Sequence, residues 1–198
     1  MHRVAPRVIY GLGILLGVLL IGRVPALYAA QDAPPKSTLV SLGAVSGGPK
    51  AQVMVPLFLT PVPADRQVGS FSATIEFTNK GITFLKAEKS FLLDGVNGSV
   101  KAESEKDPSD PAKSIIHLEV STSGEPRKAL RDGLTLSLVF KIEPDATPGI
   151  VPLDFKNVAA GNLETPPKPI TPVISKKGTI EVLKPEAVPY VGCFFFSH

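Results

Sequence analysis

The stretch VGSFSATIEFTNKGITFLKA at residues 68–87 decides how the rest of the chain is read. In its first half Phe71, Ala73, Ile75 and Phe77 fall on one side of an extended backbone, and Ser70, Ser72, Thr74 and Glu76 on the other. Successive side chains of a strand point to opposite faces, so this period of two describes a strand with one face in a core. Its other face is small, polar and open to a partner. Asn79, Lys80 and Gly81 break the alternation with turn residues, and Ile82, Thr83, Phe84 and Leu85 restart an apolar run.

The same pattern recurs on both sides. Towards the N-terminus, residues 38–42 form a short strand, followed by a Gly47-Gly48-Pro49 turn. Residues 51–60 place Val53, Val55, Leu57 and Leu59 on one face and Met54, Pro56 and Phe58 on the other. Pro56 has no N–H for a ladder, which predicts an edge strand or a bulge. Towards the C-terminus, Asp94-Gly95 and Asn97-Gly98 mark turns, and residues 103–111 (ESEKDPSDP) read as a charged, solvated loop. Residues 114–121 turn Ile116, Leu118 and Val120 inward, and residues 122–132 hold one helical turn at most. Leu134, Leu136, Leu138, Phe140 and Ile142 alternate almost without fault, and a Pro148-Gly149 turn leads into a strand at 150–158. Residues 160–172 read as a long loop, and 173–183 as two short strands around Lys176, Lys177 and Gly178. About nine strands at regular spacing, with no convincing helix, predict an all-β chain folded as an antiparallel β-sandwich.

The two ends differ from this body. Residues 1–30 carry Arg3 and Arg7, a 14-residue apolar run at 8–21, helix breakers at 22–25, and small residues at Ala29 and Ala30. That is the layout of a signal peptide, and the run falls short of the roughly 20 residues that span a bilayer. The mature chain is therefore expected to be secreted or held at the cell surface, with no stable membrane span. Cleavage removes three arginines and no acid, so 21 basic residues less 3 leave 18 against 18 acidic ones. No basic surplus remains to neutralise phosphates, and nucleic acid drops out as a partner. Residues 31–37 read as a disordered spacer, the sandwich as residues 38–183, and 184–198 as a Pro-containing tail ending in Cys193, Phe194, Phe195, Phe196, Ser197 and His198. Cys193 is the only cysteine, which suggests an intermolecular disulfide or a reactive thiol, and the tail reads as an ordinary terminus, an interchain link, or the attachment signal of a structural cell-surface subunit. A bare Phe triplet is costly to expose, so the tail packs, is removed or is recognised.

Catalytic constellations are missing. The histidines are His2, His117 and His198, and no GxSxG elbow accompanies His117. CxxC, HExxH and phosphate-cradling glycine loops are absent, so no enzyme activity, metal or cofactor is expected. Asp107 and Asp110 bring carboxylates together without the Gly-containing rhythm of a calcium loop.

The order of several motifs resembles the cohesin module. The carriers are AQVMVPLFL at 51–59, VGSFSATIEF at 68–77 followed by GITFLKAE, DGLTLSLVFKIEPDATPGIVPLDFKNV at 132–158, and KKGTIEV at 176–182. The resemblance implies a nine-stranded sandwich of jelly-roll topology, related to bacterial cellulose-binding domains, that serves as a non-catalytic extracellular docking module. In cellulosome cohesins polar residues on one sheet face grip a dockerin. The first of those positions fall at Ser70 and Ser72, where the family's usual Asn and Asp are replaced by serine. The expected site is thus the outward face of Ser70, Ser72, Thr74 and Glu76, and the expected partner an extracellular or cell-surface protein. Kinship with sugar-binding sandwiches makes polysaccharide the alternative ligand, opposed by the lack of Trp and by a single Tyr beyond the signal.

Overall fold

The structure, a computed structural model, describes residues 37–61 and 67–184. The expected signal peptide, all but the last residue of the spacer, and the tail beyond residue 184 lie outside the described residues. Twelve strands and one short helix follow in order: β1 (Thr38–Leu42), β2 (Ala44–Gly47), β3 (Gln52–Thr60), β4 (Val68–Thr78), β5 (Ile82–Lys89), α1 (Phe91–Asp94), β6 (Gly98–Lys106), β7 (Lys113–Thr122), β8 (Gly133–Ile142), β9 (Gly149–Asn162), β10 (Pro169–Ile170), β11 (Val173–Lys176) and β12 (Gly178–Val182). Sheet A runs β11-β1-β3-β8-β5, and sheet B runs β2-β12-β9-β4-β7-β6 with β10 beside β9. The all-β sandwich is as expected, with more strands than the nine counted and with two parallel pairs, β1 with β11 and β2 with β12.

The two parallel pairs have one cause, which also adds β2 to the count; β6 and β10 supply the other extra strands. The chain leaves sheet A after β1 and enters sheet B as β2, and it makes the same passage between β11 and β12. One extended segment at each end of the domain therefore counts as two strands. Pro56 shows how the first passage is built. The Gly43 N–H donates to the Pro56 carbonyl at 2.8 Å, but Pro56 has no N–H to return to the Gly43 carbonyl. That carbonyl instead accepts the Thr179 N–H of β12 at 3.2 Å, across in the other sheet. Pro56 is tolerated within an interior strand because its missing donor falls where β1 breaks away, so the edge-strand expectation is corrected. The register shift between Leu57 and Phe58 meets the expectation of a bulge.

The core fills the space between the sheets. Phe71, Ala73, Ile75 and Phe77 of β4 are all buried, as their alternation predicts. Phe140 of β8 lies at the centre, with the rings of Phe77 and Phe84 edge-on at centroid distances of 5.3 and 5.6 Å. Such T-shaped pairs add to burial a quadrupole attraction that a stacked sandwich lacks.

Three segments depart from their sequence reading. Residues 103–106 belong to β6, paired with β7 along its whole length. Their charges reflect an edge strand, whose polar side chains stand in water, rather than a loop. Asp107 is buried, and its Oδ1 accepts the Ser109 N–H at 2.7 Å and the Ser109 hydroxyl at 2.6 Å, so it closes the turn beyond β6 from within. The supposed loop at 160–172 contains the end of β9 and the two-residue β10.

Gly178 is packed against the first crossing, and a Cβ there would collide with the Gly43 carbonyl oxygen and the Leu42 side chain. Gly178→Ala is expected to cost roughly 1–3 kcal/mol, since backbone cannot yield as a flexible side chain does. Thermal unfolding checks this, and an unchanged midpoint would show that the crossing has slack.

Candidate functional site

Four strands carry the candidate site, in the order β9, β4, β7 and β6. Antiparallel register aligns their outward residues in rows. Ser70 stands between Gly161 and Ser121, Ser72 between Ala159 and Glu119, Thr74 between Asn157 and His117, and Glu76 between Asp154 and Ile115. β6 extends the rows with Ser99 beside Ser121, Lys101 beside Glu119, and Glu103 beside His117. Ser72, Thr74, His117, Glu119 and Asn157 line a shallow depression in the middle of this face.

All four expected residues share the face, but they are not equally open. Ser72 is exposed, Ser70 and Thr74 are half-buried, and Glu76 is only 9% exposed. Glu76 is covered by its counter-ions. Its Oε1 lies 3.1 Å from Lys113 Nζ and 3.0 Å from Lys156 Nζ. Lys156 can reach it because the register between β4 and β9 slips between Thr74 and Ile75, leaving Lys156 as an extra residue on β9. One carboxylate with two lysines folded over it forms an ion-paired plug at one end of the face, and the hydroxyls of Ser72 and Thr74 are left as the accessible centre.

His117 extends outward, with Nε2 3.2 Å from Glu105 Oε1, and takes a place in the charged border. Ser99 and Ser121 exchange a hydroxyl hydrogen bond at 3.0 Å on the same side. Hydroxyls both donate and accept, so the face can meet backbone amides or carbonyls of a partner with little side-chain reorganisation. Among the described residues no group of three His, Cys, Asp or Glu side chains is placed to hold a metal ion. No helix among them is long and apolar enough to cross a membrane.

Two supports of this face escaped the sequence reading. Arg127 donates from Nε to the Thr122 carbonyl at 2.8 Å and from Nη2 to the Gly69 carbonyl at 3.2 Å. It thereby pins the end of β7 to the start of β4, next to Ser70. Asn79 does the same at the other end, with Nδ2 donating to the carbonyls of Pro111 and Lys113 at 3.1 Å each. The bonds from Arg127 to Gly69 and from Asn79 to Pro111 and Lys113 do not follow from local pattern, because each joins residues distant in sequence. A second, more open groove lies where β9 meets β10, lined in part by Asn162, Leu163, Glu164 and Ile170. Two of its polar groups are engaged with each other, Asn162 Nδ2 donating to Glu164, and Lys168 pairs with the same carboxylate at 2.7 Å.

With the geometry in view, the relatives can be placed. No protein-family model matches the chain. A cellulosome-anchoring protein of Acetivibrio thermocellus is 26% identical over 184 residues, covering 91% of this chain and 40% of that protein. The chain thus spans about two fifths of the curated relative it matches. Among solved structures, the OlpA cohesin of Clostridium thermocellum in complex with a dockerin matches at a TM-score of 0.59 and 21% identity, covering 74% of this chain and 99% of that one. A type I cohesin from Pseudobacteroides cellulosolvens matches at 0.58 and 15% identity, over 80% and 99%. A non-cellulosomal cohesin from the archaeon Archaeoglobus fulgidus matches at 0.54 and 12%, over 76% and 94%. The fold is that of the cohesin module, the jelly-roll sandwich that the motif order implied.

The turn beneath Glu76 gives the site a pH signature. Hydrogen bonds from the Ser109 hydroxyl and N–H hold the Asp107 carboxyl below its ordinary value of 3.8. A depressed carboxylate stabilises the fold above that value and loses its contribution as pH falls through the folded-state pKa. Ser109→Ala should therefore lower the thermal midpoint at pH 7, with the gap to the parent closing below about pH 3.8. Lys113 is shifted the other way, raised above 10.5 chiefly by its hydrogen bond to Glu76. Its contribution is intact at neutral pH and is lost only as pH rises beyond the lysine range. Midpoints measured across pH 2–8 for parent and Ser109→Ala check the first statement; a gap that persists at the acid end contradicts it.

Proposed function

We propose that the chain is an exported, non-catalytic, cohesin-like module that docks a protein partner of the dockerin kind through the outward face of β9, β4, β7 and β6. The observation that carries this reading is the face itself: a sheet surface with the short hydroxyl side chains of Ser72 and Thr74 at its centre and charged side chains beside and around them, on the fold of cohesins solved with dockerins bound. Short central side chains let a partner helix approach the sheet closely, while bordering charges fix its orientation and exclude wrong partners. Ser70, Ser72 and Thr74 make the contacts in this reading, and Glu76 holds Lys113 and Lys156 in place beside them. Residues 1–30 direct export, and the module works outside the cell or at its surface, as the name of the cellulosome-anchoring relative suggests.

Polysaccharide is a weaker fit. Sugar faces stack on exposed aromatic rings with a polar handle. The sequence has no Trp, and its three Tyr residues all lie outside the described part. The rows of the candidate face hold no Phe, Tyr or Trp, only small, polar and charged side chains with His117 and Ile115.

Ser72→Arg places a long cation at the exposed centre of the face. With immobilised dockerin modules and calorimetry, the parent is expected to bind at least one and Ser72→Arg to bind it at least tenfold more weakly, roughly 1.4 kcal/mol. The thermal midpoint should stay nearly where it was, because an exposed substitution away from caps and core shifts stability by about 0.5 kcal/mol or less. Equal binding by parent and variant would remove this face from the reading, and retention on insoluble polysaccharide without dockerin binding would favour the carbohydrate alternative.

A further inference from the structure

On the outward rows of β9, β4, β7 and β6 nearly every charged side chain is spent on another. Lys113 and Lys156 close over Glu76 at 3.1 and 3.0 Å, and Asp154 faces Lys177 at 3.7 Å. Glu105 meets His117 at 3.2 Å, and Lys101 pairs along its own strand with Glu103 at 3.3 Å. Glu119 is the exception. It is exposed on β7, directly beside Ser72 in the register, and among the described residues no donor or cation is paired with its carboxylate. Lys101, its neighbour on β6, is the natural counter-ion, but its ammonium is engaged with Glu103. A carboxylate without a partner inside the fold contributes little to stability, so its place at the centre of the face calls for a partner from outside.

We propose that Glu119 determines which partners the face accepts, by pairing with an arginine or lysine that a docking protein presents beside Ser72. The pairing presupposes the docking face of the proposed function and gives it a sign. Hydroxyls donate and accept alike, so Ser72 and Thr74 by themselves do not discriminate between an acidic and a basic segment. Glu119 does, because a carboxylate brought to the same place would face it with no cation free to separate them. The surroundings suit a cationic head. Ser72, Thr74 and Asn157 line the same depression as Glu119, and each has an oxygen able to accept. A guanidinium, with five donors in a fixed fork, takes both oxygens of the carboxylate and a neighbouring hydroxyl together, which makes arginine the better fit of the two. The remaining carboxylates of the face already hold a lysine or His117, so a basic group is directed to this position rather than to the ends.

Glu119→Gln keeps the shape of the side chain and removes its charge. Since no internal contact is lost, the thermal midpoint is expected to stay where it was. Against the dockerin module that binds the parent most tightly, Glu119→Gln is expected to bind about tenfold and Glu119→Lys about a hundredfold more weakly. Raising salt from about 0.1 to about 1 M, which shortens the screening length from about 10 to about 3 Å, should weaken the parent more than Glu119→Gln. Alanine in place of one arginine or lysine of that dockerin should weaken binding to the parent about tenfold and leave binding to Glu119→Gln unchanged, and glutamate in its place should recover binding to Glu119→Lys. Binding by Glu119→Gln equal to the parent's, with Ser72→Arg still weakened, overturns the role of Glu119 and leaves the docking face in place. So does a loss to which every basic residue of the dockerin adds independently. Failure of the parent to bind any dockerin removes the docking face and the role of Glu119 together.

Discussion

Two extended segments, one at each end of the domain, belong to both sheets, and where they meet there is no room for a side chain. Gly43 and Gly178 face each other there, with Pro56 closing the third side. The missing proline donor frees the Gly43 carbonyl to bond across to Thr179, so one local deficiency in sheet A becomes a tie to sheet B. Because the first and last strands are continuous from sheet to sheet, neither sheet can slide without drawing the other along. The remaining strands are packed against this frame, and β4, between β9 and β7, occupies the most constrained position in sheet B. The outward face of β4 is therefore displayed from a rigid plate, and a partner docking there would be spared the entropy of ordering it.

Alternation was enough to read the inward half of the fold. The buried rows of β3, β4 and β7 fall where a period of two puts them, and so does that of β8 from Leu136 to Ile142; the shift between Leu57 and Phe58 breaks it at the start of β8, where Thr135 is buried and Leu134, opposite Phe58, is half-buried. What pattern could not reveal depends on contacts between distant residues. The β1–β2 passage requires knowing that Pro56 faces Gly43. β6 looked like a loop because an edge strand can carry charge on nearly every residue and still be held by its neighbour. Glu76 reads as an open carboxylate from its place in the alternation, and only the slipped register on β9 brings Lys156 over it. Arg127 and Asn79 looked like loop residues, yet they anchor the two ends of the face.

The two outer faces of one sandwich divide the chemistry between them. On sheet B, hydroxyls and paired charges give directional contacts that tolerate water, which suits association with a separate soluble partner. On sheet A, Met54, Phe58, Leu85 and Ile174 are part-exposed among charges that pair with one another, Lys86 with Glu88 and Lys141 with Glu143.

The free side of β6 bears on how many such domains can be kept together. That edge offers unpaired backbone groups, but from Glu103 to Lys106 every residue is exposed, and three of the four are charged. A neighbouring sandwich that tried to add its own edge there would have to strip these side chains of water and bring like charges together. Sheet-to-sheet fusion, the first step toward fibrils, is thereby discouraged at this edge, so that copies crowded at high local density can stay separate bodies.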